Sequence, residues 1–165
     1  MPQLLRAIRI NRWDRGQAGI STKEIPADAL TDLRTTQNKL SVWLLNKNST
    51  HINRIIAALA GTRDKLANFD YLTFNQKIIP KVDIKQCHVN GDSPDDELNR
   101  EFHYDLIEIS GDRLLKLATY LYFNGKAERL LPKQVALLIF EGVKNGQIDE
   151  SKIKYYDKVL KKVAP

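Results

Sequence analysis

A chain of 165 residues suits a single domain, with room for two lobes, and is long enough to bury a sizeable core. Its 42% hydrophobic and 28% charged content excludes wholesale disorder, and no apolar run approaches the roughly 18 residues of a membrane span. The net charge of +6 favours nucleic acid or an acidic partner surface, while a lone cysteine, Cys87, excludes an internal disulfide and agrees with a reducing cytoplasm.

The N-terminal MPQLLRAIRINRWDR is basic without a sustained apolar segment, so no secretion signal is expected. Residues 3–13 have β-like composition, with Leu4, Ile8 and Ile10 on one side of an extended chain. Arg6 and Arg12 share that side, and with Arg9 and Arg15 they make a basic arm or strand. DRGQAGIST then reads as a turn-rich connection. Pro26 opens a short amphipathic helix carrying Leu30 and Leu33, whose dipole suits Asp28 near its start and Arg34 near its end.

KLSVWLL (39–45) is the best strand in the N-terminal half, with Leu40, Val42 and Leu44 on one face and Ser41 and Trp43 on the other. An amphipathic helix follows, roughly Thr50 to Ala67, with Ser49 or Thr50 as its cap. Ile52, Ile55, Ile56, Leu59 and Leu66 form its stripe, and His51, Arg54, Gly61 and Lys65 lie opposite. With YLTF (71–74) after it, the pattern is strand–helix–strand, its crossover long enough to join parallel strands. KVDIKQCHV (81–89) alternates as a strand with one wet face, and NGDSPDDELNRE is a polar loop or short helical cap. HYDLIEI (103–109) is either a strand with His103 and Asp105 on one face or the continuation of a helix begun near Asp95.

Ser110 caps the next helix, in which Leu114, Leu117, Ala118 and Leu121 form the buried stripe and Gly125 the stop. Leu131 to Gly146 is the most apolar run. Pro132 suits a first turn, Gly146 suits the left-handed residue past the end, and 135–140 leave almost no polar face. This predicts an enclosed helix at the centre of a bundle. A last helix starting at Asp149 or Ser151 puts Ile153, Tyr156, Leu160 and Val163 inside, and Lys152, Lys154, Lys158, Lys161 and Lys162 outside. The fold class expected is α+β: a small N-terminal sheet with one or two helices over 1–109, then a C-terminal three-helix bundle over 110–165.

Motifs for common chemistry are missing. No glycine-rich phosphate loop, nucleophile elbow or H-E-x-x-H occurs. Cys87-His88, His103 and the acids Asp92, Asp95, Asp96 and Glu97 lack a second Cys or His pair, so neither metal nor cofactor is expected. The basic residues rank highest. Arg6, Arg9, Arg12, Arg54, Lys152, Lys154 and Lys158 suit a non-enzymatic accessory, regulatory or immunity-type protein that binds an acidic protein or nucleic acid in the cytoplasm. The last two helices loosely follow helix-turn-helix logic, with Tyr155 as a stacking group, although a solvated lysine face is the plainer reading.

Two alternatives accompany it. His51 at a helix start and His103 beside Asp105, with Arg54 and Arg63 on phosphate, suit metal-independent acid–base cleavage of RNA. Their bland counterparts are an exposed first-turn residue and a polar strand-edge residue. An obligate subunit of a complex is the other, since Tyr120, Tyr122 and Phe123 cover more than one helix face.

Overall fold

The computed structural model describes residues 2–14, 24–46, 48 and 51–164. Its strands are β1 (Gln3–Ile8), β2 (Leu40–Leu45), β3 (Phe69–Asn75), β4 (Lys85–His88), β5 (His103–Ile107) and β6 (Lys126–Leu130). Its α-helices are α1 (Ala27–Asp32), α2 (Ile52–Gly61), α3 (Ile78–Lys81), α4 (Asp96–Glu101), α5 (Gly111–Asn124), α6 (Pro132–Lys144) and α7 (Tyr156–Val163). The strands form one sheet in the order β4–β5–β2–β1–β3–β6, and every pairing is antiparallel.

β1 lies between β2 and β3 and is antiparallel to both, so those two run parallel to each other. The strand–helix–strand pattern is therefore present with a strand inserted, and α2 carries the chain across β1.

Period-two alternation gives the sheet two apolar faces, each covered by helices. Leu4, Ile8, Leu40, Val42, Leu72, Phe74 and Leu106 share a core with Ala29 and Leu33, Ile78 and Ile79 of α3, and Leu117, Ala118 and Leu121 of α5. Leu5, Trp43, Leu45, Phe69 and Tyr71 share the other with Ile55 and Ile56 of α2, Val135 and Ile139 of α6, and Val159 of α7.

The mixed α+β class holds, but the C-terminal three-helix bundle does not form. β6 intervenes between α5 and α6 and pairs with β3 at the sheet edge. It delivers the chain to the opposite side, so α5 joins one core while α6 and α7 join the other. KAERL gives little strand signal because an edge strand with no fully buried position needs no apolar alternation. α6 is an outer-layer helix, with Val135, Ala136, Ile139 and Gly142 buried but Leu137 48% exposed. Its ends are as expected, with Pro132 in the first turn and Gly146 at φ +67.

The last helix starts later than its lysines suggest. Glu150–Lys152 is a 3-10 turn, and Ile153, Tyr155 and Val159 point inward while Leu160 is 42% exposed. Of residues 81–89 only Lys85–His88 are strand, since Asp83 at φ +56 breaks the extended run. Of the two options for 103–109 the strand is realised: α4 ends at Glu101 and β5 begins at His103, so the helix begun near Asp95 does not run on. The Asp95 carboxylate accepts from Leu98 N at the start of α4, and Ser110 Oγ accepts from Arg113 N at the start of α5. α2 ends at Gly61, well before Ala67, where the glycine packs closely against Pro94. Arg15, most of DRGQAGIST and the proposed Ser49 or Thr50 cap lie outside the described residues. Among the described residues, no helix is long and apolar enough to cross a membrane.

Candidate functional site

The β1–β2 ladder runs from Gln3↔Leu45 to Leu5↔Trp43 and stops there. Beyond it β1 continues beside β3, and β2 extends back to Leu40 beside β5. The two strands part after that pair, at Arg6. Arg6 Nη1 spans this parting and donates to the Ser41 carbonyl at 2.8 Å. Its Nε is enclosed and has no hydrogen-bond partner among the described residues. Burial pulls the guanidinium below its ordinary pKa, while Asp32 and Asp105 pull it back up.

On the other side of β2, cross-strand pairing sets Asp105 against Ser41 and His103 against Trp43. Ser41 Oγ donates to Asp105 Oδ1 at 3.0 Å. The His103 ring lies 4.9 Å from that of Trp43, centroid to centroid. His103 Nδ1 is 3.2 Å from the Val89 carbonyl. A carbonyl only accepts, so Nδ1 carries the proton and the neutral ring keeps its lone pair on Nε2. Burial lowers the imidazole pKa; the Val89 bond and Asp105 oppose it, and His88 and Arg6 reinforce it. The neutral form thus prevails at pH 7.

These side chains line a cleft of about 430 Å³. Its remaining wall is the loop between β4 and α4, which contributes Val89, Asn90, Gly91 and Asp92, together with Leu59 of α2 and Thr62 just past its end. Hydrogen bonding holds this loop: Gly91 N donates to Asn99 O at 3.0 Å, and Ser93 N and Oγ both donate to Asn99 Oδ1. A Cβ on Gly91 would fall 2.8 Å from Asn99 Oδ1 and 3.2 Å from His103 Cβ, so the close approach of the loop needs glycine.

Arg6, His103 and Asp105 are therefore brought together, and the other candidates are not. His51 Nε2 lies 3.0 Å from the Leu44 carbonyl, with its ring 4.4 Å from Phe102. It borders a separate recess with Arg54, Glu141 and Asn145. Arg54 is held by Asp95 and Glu97, and Arg63 lies 4.4 Å over the Phe69 ring while donating to Asn68 O.

Several of the basic residues are already paired. Lys152 pairs with Asp96 at 3.0 Å and Lys154 with Asp64 at 2.6 Å. Arg12 donates to Thr31 Oγ1, and Arg9 and Lys158 have exposed side chains. Tyr155 is buried, its hydroxyl donating to Ala60 O at 2.6 Å, so it offers no stacking face. Residues 145–155 separate α6 from α7, which is too long for a helix-turn-helix turn.

Sequence reasoning missed Ser41, Trp43, Asn90 and Asp92 as cleft residues. The one local signal was Ser41, a polar residue inside an apolar strand. No protein-family model, curated protein or solved structure matches the chain.

Proposed function

We propose that this is a binding protein whose ligand enters the Arg6–His103 cleft and sets an acidic oxygen on Arg6. The observation that carries the reading is the Arg6 guanidinium on the cleft wall, which forms no ion pair among the described residues. The guanidinium fork suits a carboxylate or phosphate.

The acidic partner suggested by the charge balance is thereby narrowed to an acidic group small enough for the cleft. Ion pairing of Arg54, Lys152 and Lys154 within the fold supports moving the main contact away from them. Arg9, Arg12 and Lys158 remain as long-range attraction for a negative ligand. The exposed lone Cys87 agrees with a reducing compartment such as the cytoplasm.

The test is a titration of ¹⁵N-labelled protein with acetate and with inorganic phosphate. The Arg6 Nε–H and Trp43 indole N–H resonances should move together, while the backbone N–H of Leu117, in the opposite core, stays still. Saturating additions of both anions that leave Arg6 Nε–H unmoved would overturn the reading.

A further inference from the structure

Resting on that reading, we infer that the ligand is a free α-amino acid with an apolar side chain, its carboxylate on Arg6 and its ammonium on Asp105 and Asp92. The geometry centres on Ser41. Its carbonyl accepts from Arg6 Nη1 at 2.8 Å, and its hydroxyl donates to Asp105 Oδ1 at 3.0 Å. One residue thus holds a cation on one side and an anion on the other. Yet neither Arg6 nor Asp105 takes part in an ion pair among the described residues, and the same is true of Asp92.

Charge counting decides the class. The cleft carries one guanidinium and two carboxylates. A simple anion is attracted by the first and opposed by both others, so it binds but weakly, and a simple amine meets the reverse conflict. A zwitterion satisfies all three. In an α-amino acid the two charged groups sit on one carbon, which matches two opposite charges flanking one residue. His103 adds a neutral acceptor at Nε2, suited to a further ammonium N–H. Trp43, Leu59 and Val89 provide the apolar wall for the side chain, and about 430 Å³ leaves room for a residue of leucine or phenylalanine size.

The experiment compares L-leucine, N-acetyl-L-leucine and L-leucinamide in the same ¹⁵N titration, read at the Trp43 indole N–H with the Leu117 backbone N–H as control, with L-phenylalanine as a second free amino acid. L-Leucine should bind at least about tenfold more tightly than either blocked form, since each lacks one of the two charged groups. Asp92 lies on an exposed loop, so Asp92→Asn keeps the fold and should weaken L-leucine about threefold while leaving N-acetyl-L-leucine unchanged or tighter. If N-acetyl-L-leucine matches L-leucine, the amino-acid assignment is overturned and Arg6 stands as an anion anchor. If L-leucinamide matches L-leucine, the anchoring role of Arg6 falls as well. No Trp43 response to either free amino acid up to about 10 mM, where contacts this numerous should register, overturns the assignment and leaves the anion reading to the acetate and phosphate titration.

Discussion

Arg54 and Asp95 meet through two contacts, Nε to Oδ2 at 2.5 Å and Nη2 to Oδ1 at 2.7 Å, with the Asp95 side chain fully enclosed. Asp95 also caps α4, so a single carboxylate ties α2 to the helix that precedes β5. Removing one partner of an enclosed pair strands the other charge, which costs about 3–5 kcal/mol. Asp95→Ala should therefore lower the unfolding free energy obtained from urea titration by about 3 kcal/mol, the low end of that range because Arg54 keeps its contact to Glu97. Glu97→Ala, which removes only an exposed contact to the same arginine, should stay within about 1 kcal/mol. Equal losses in the two variants would show that the enclosed pair carries no special weight.

The legible parts of this fold were those whose own residues carry the pattern. Leu40, Val42 and Leu44 fall on one covered sheet face and Trp43 and Leu45 on the other, and Ser110 and Pro132 mark helix starts through backbone chemistry that is local. β6 was hidden because KAERL lies at an edge and buries no residue fully. The apolar content of α6 was visible, but which side would be covered depends on α2 and α7, and that left Leu137 outside. The cleft was legible only in fragments. Arg6, His103 and Asp105 each stood out by type. Their meeting depends on the order β5–β2–β1, set by pairings between residues 35 and 64 positions apart, and no local period encodes those. The same applies to Lys152, whose partner Asp96 lies 56 residues away.

His103 gives the fold a dependence on mild acid. Burial holds its imidazole below the ordinary value of 6.5, so on acidification the unfolded chain takes up a proton before the folded one does. Stability from this group is present above about pH 6.5 and is lost as pH falls from there through the lower folded value. Asp105, His88 and Arg6 are the charged neighbours that modulate it. The stability gap between the parent protein and His103→Gln should narrow between about pH 7.5 and pH 5.5, because only the parent carries this penalty. Denaturant curves that stay parallel across that range would remove His103 as the titrating group.

Tyr155 sets a corresponding limit on the alkaline side. Burial pushes its phenol up to about 12, with Arg63 pulling the other way. A raised folded value means the unfolded chain loses its proton first, so this contribution is full below about pH 10 and lost as pH rises beyond it. Tyr155→Phe should lower stability at pH 7 by about 1–2 kcal/mol, because the Ala60 carbonyl loses a buried donor. It should also remove one late-ionising phenol from the ultraviolet titration. A variant as stable as the parent would mean that the carbonyl finds another donor.

Two glycines at helical positions should respond to alanine in opposite directions. A Cβ on Gly142 of α6 would fall 2.7 Å from Ile148 Cδ1 and 3.0 Å from its Cγ1. Ile148 is 3% exposed, and its N–H donates to the Gly142 carbonyl at 3.2 Å, so it has little room to withdraw. Overpacking of this kind costs about 1–3 kcal/mol, against a helix-propensity gain of about 1 kcal/mol. Gly111 opens α5, and a Cβ there meets nothing within 4 Å. Gly111→Ala should gain about 0.4–1 kcal/mol by narrowing the unfolded ensemble. Thermal melting should therefore place Gly142→Ala below the parent and Gly111→Ala above it. A gain in both would show that Ile148 yields freely, and that the turn after α6 is less tightly packed against the helix than its contacts indicate.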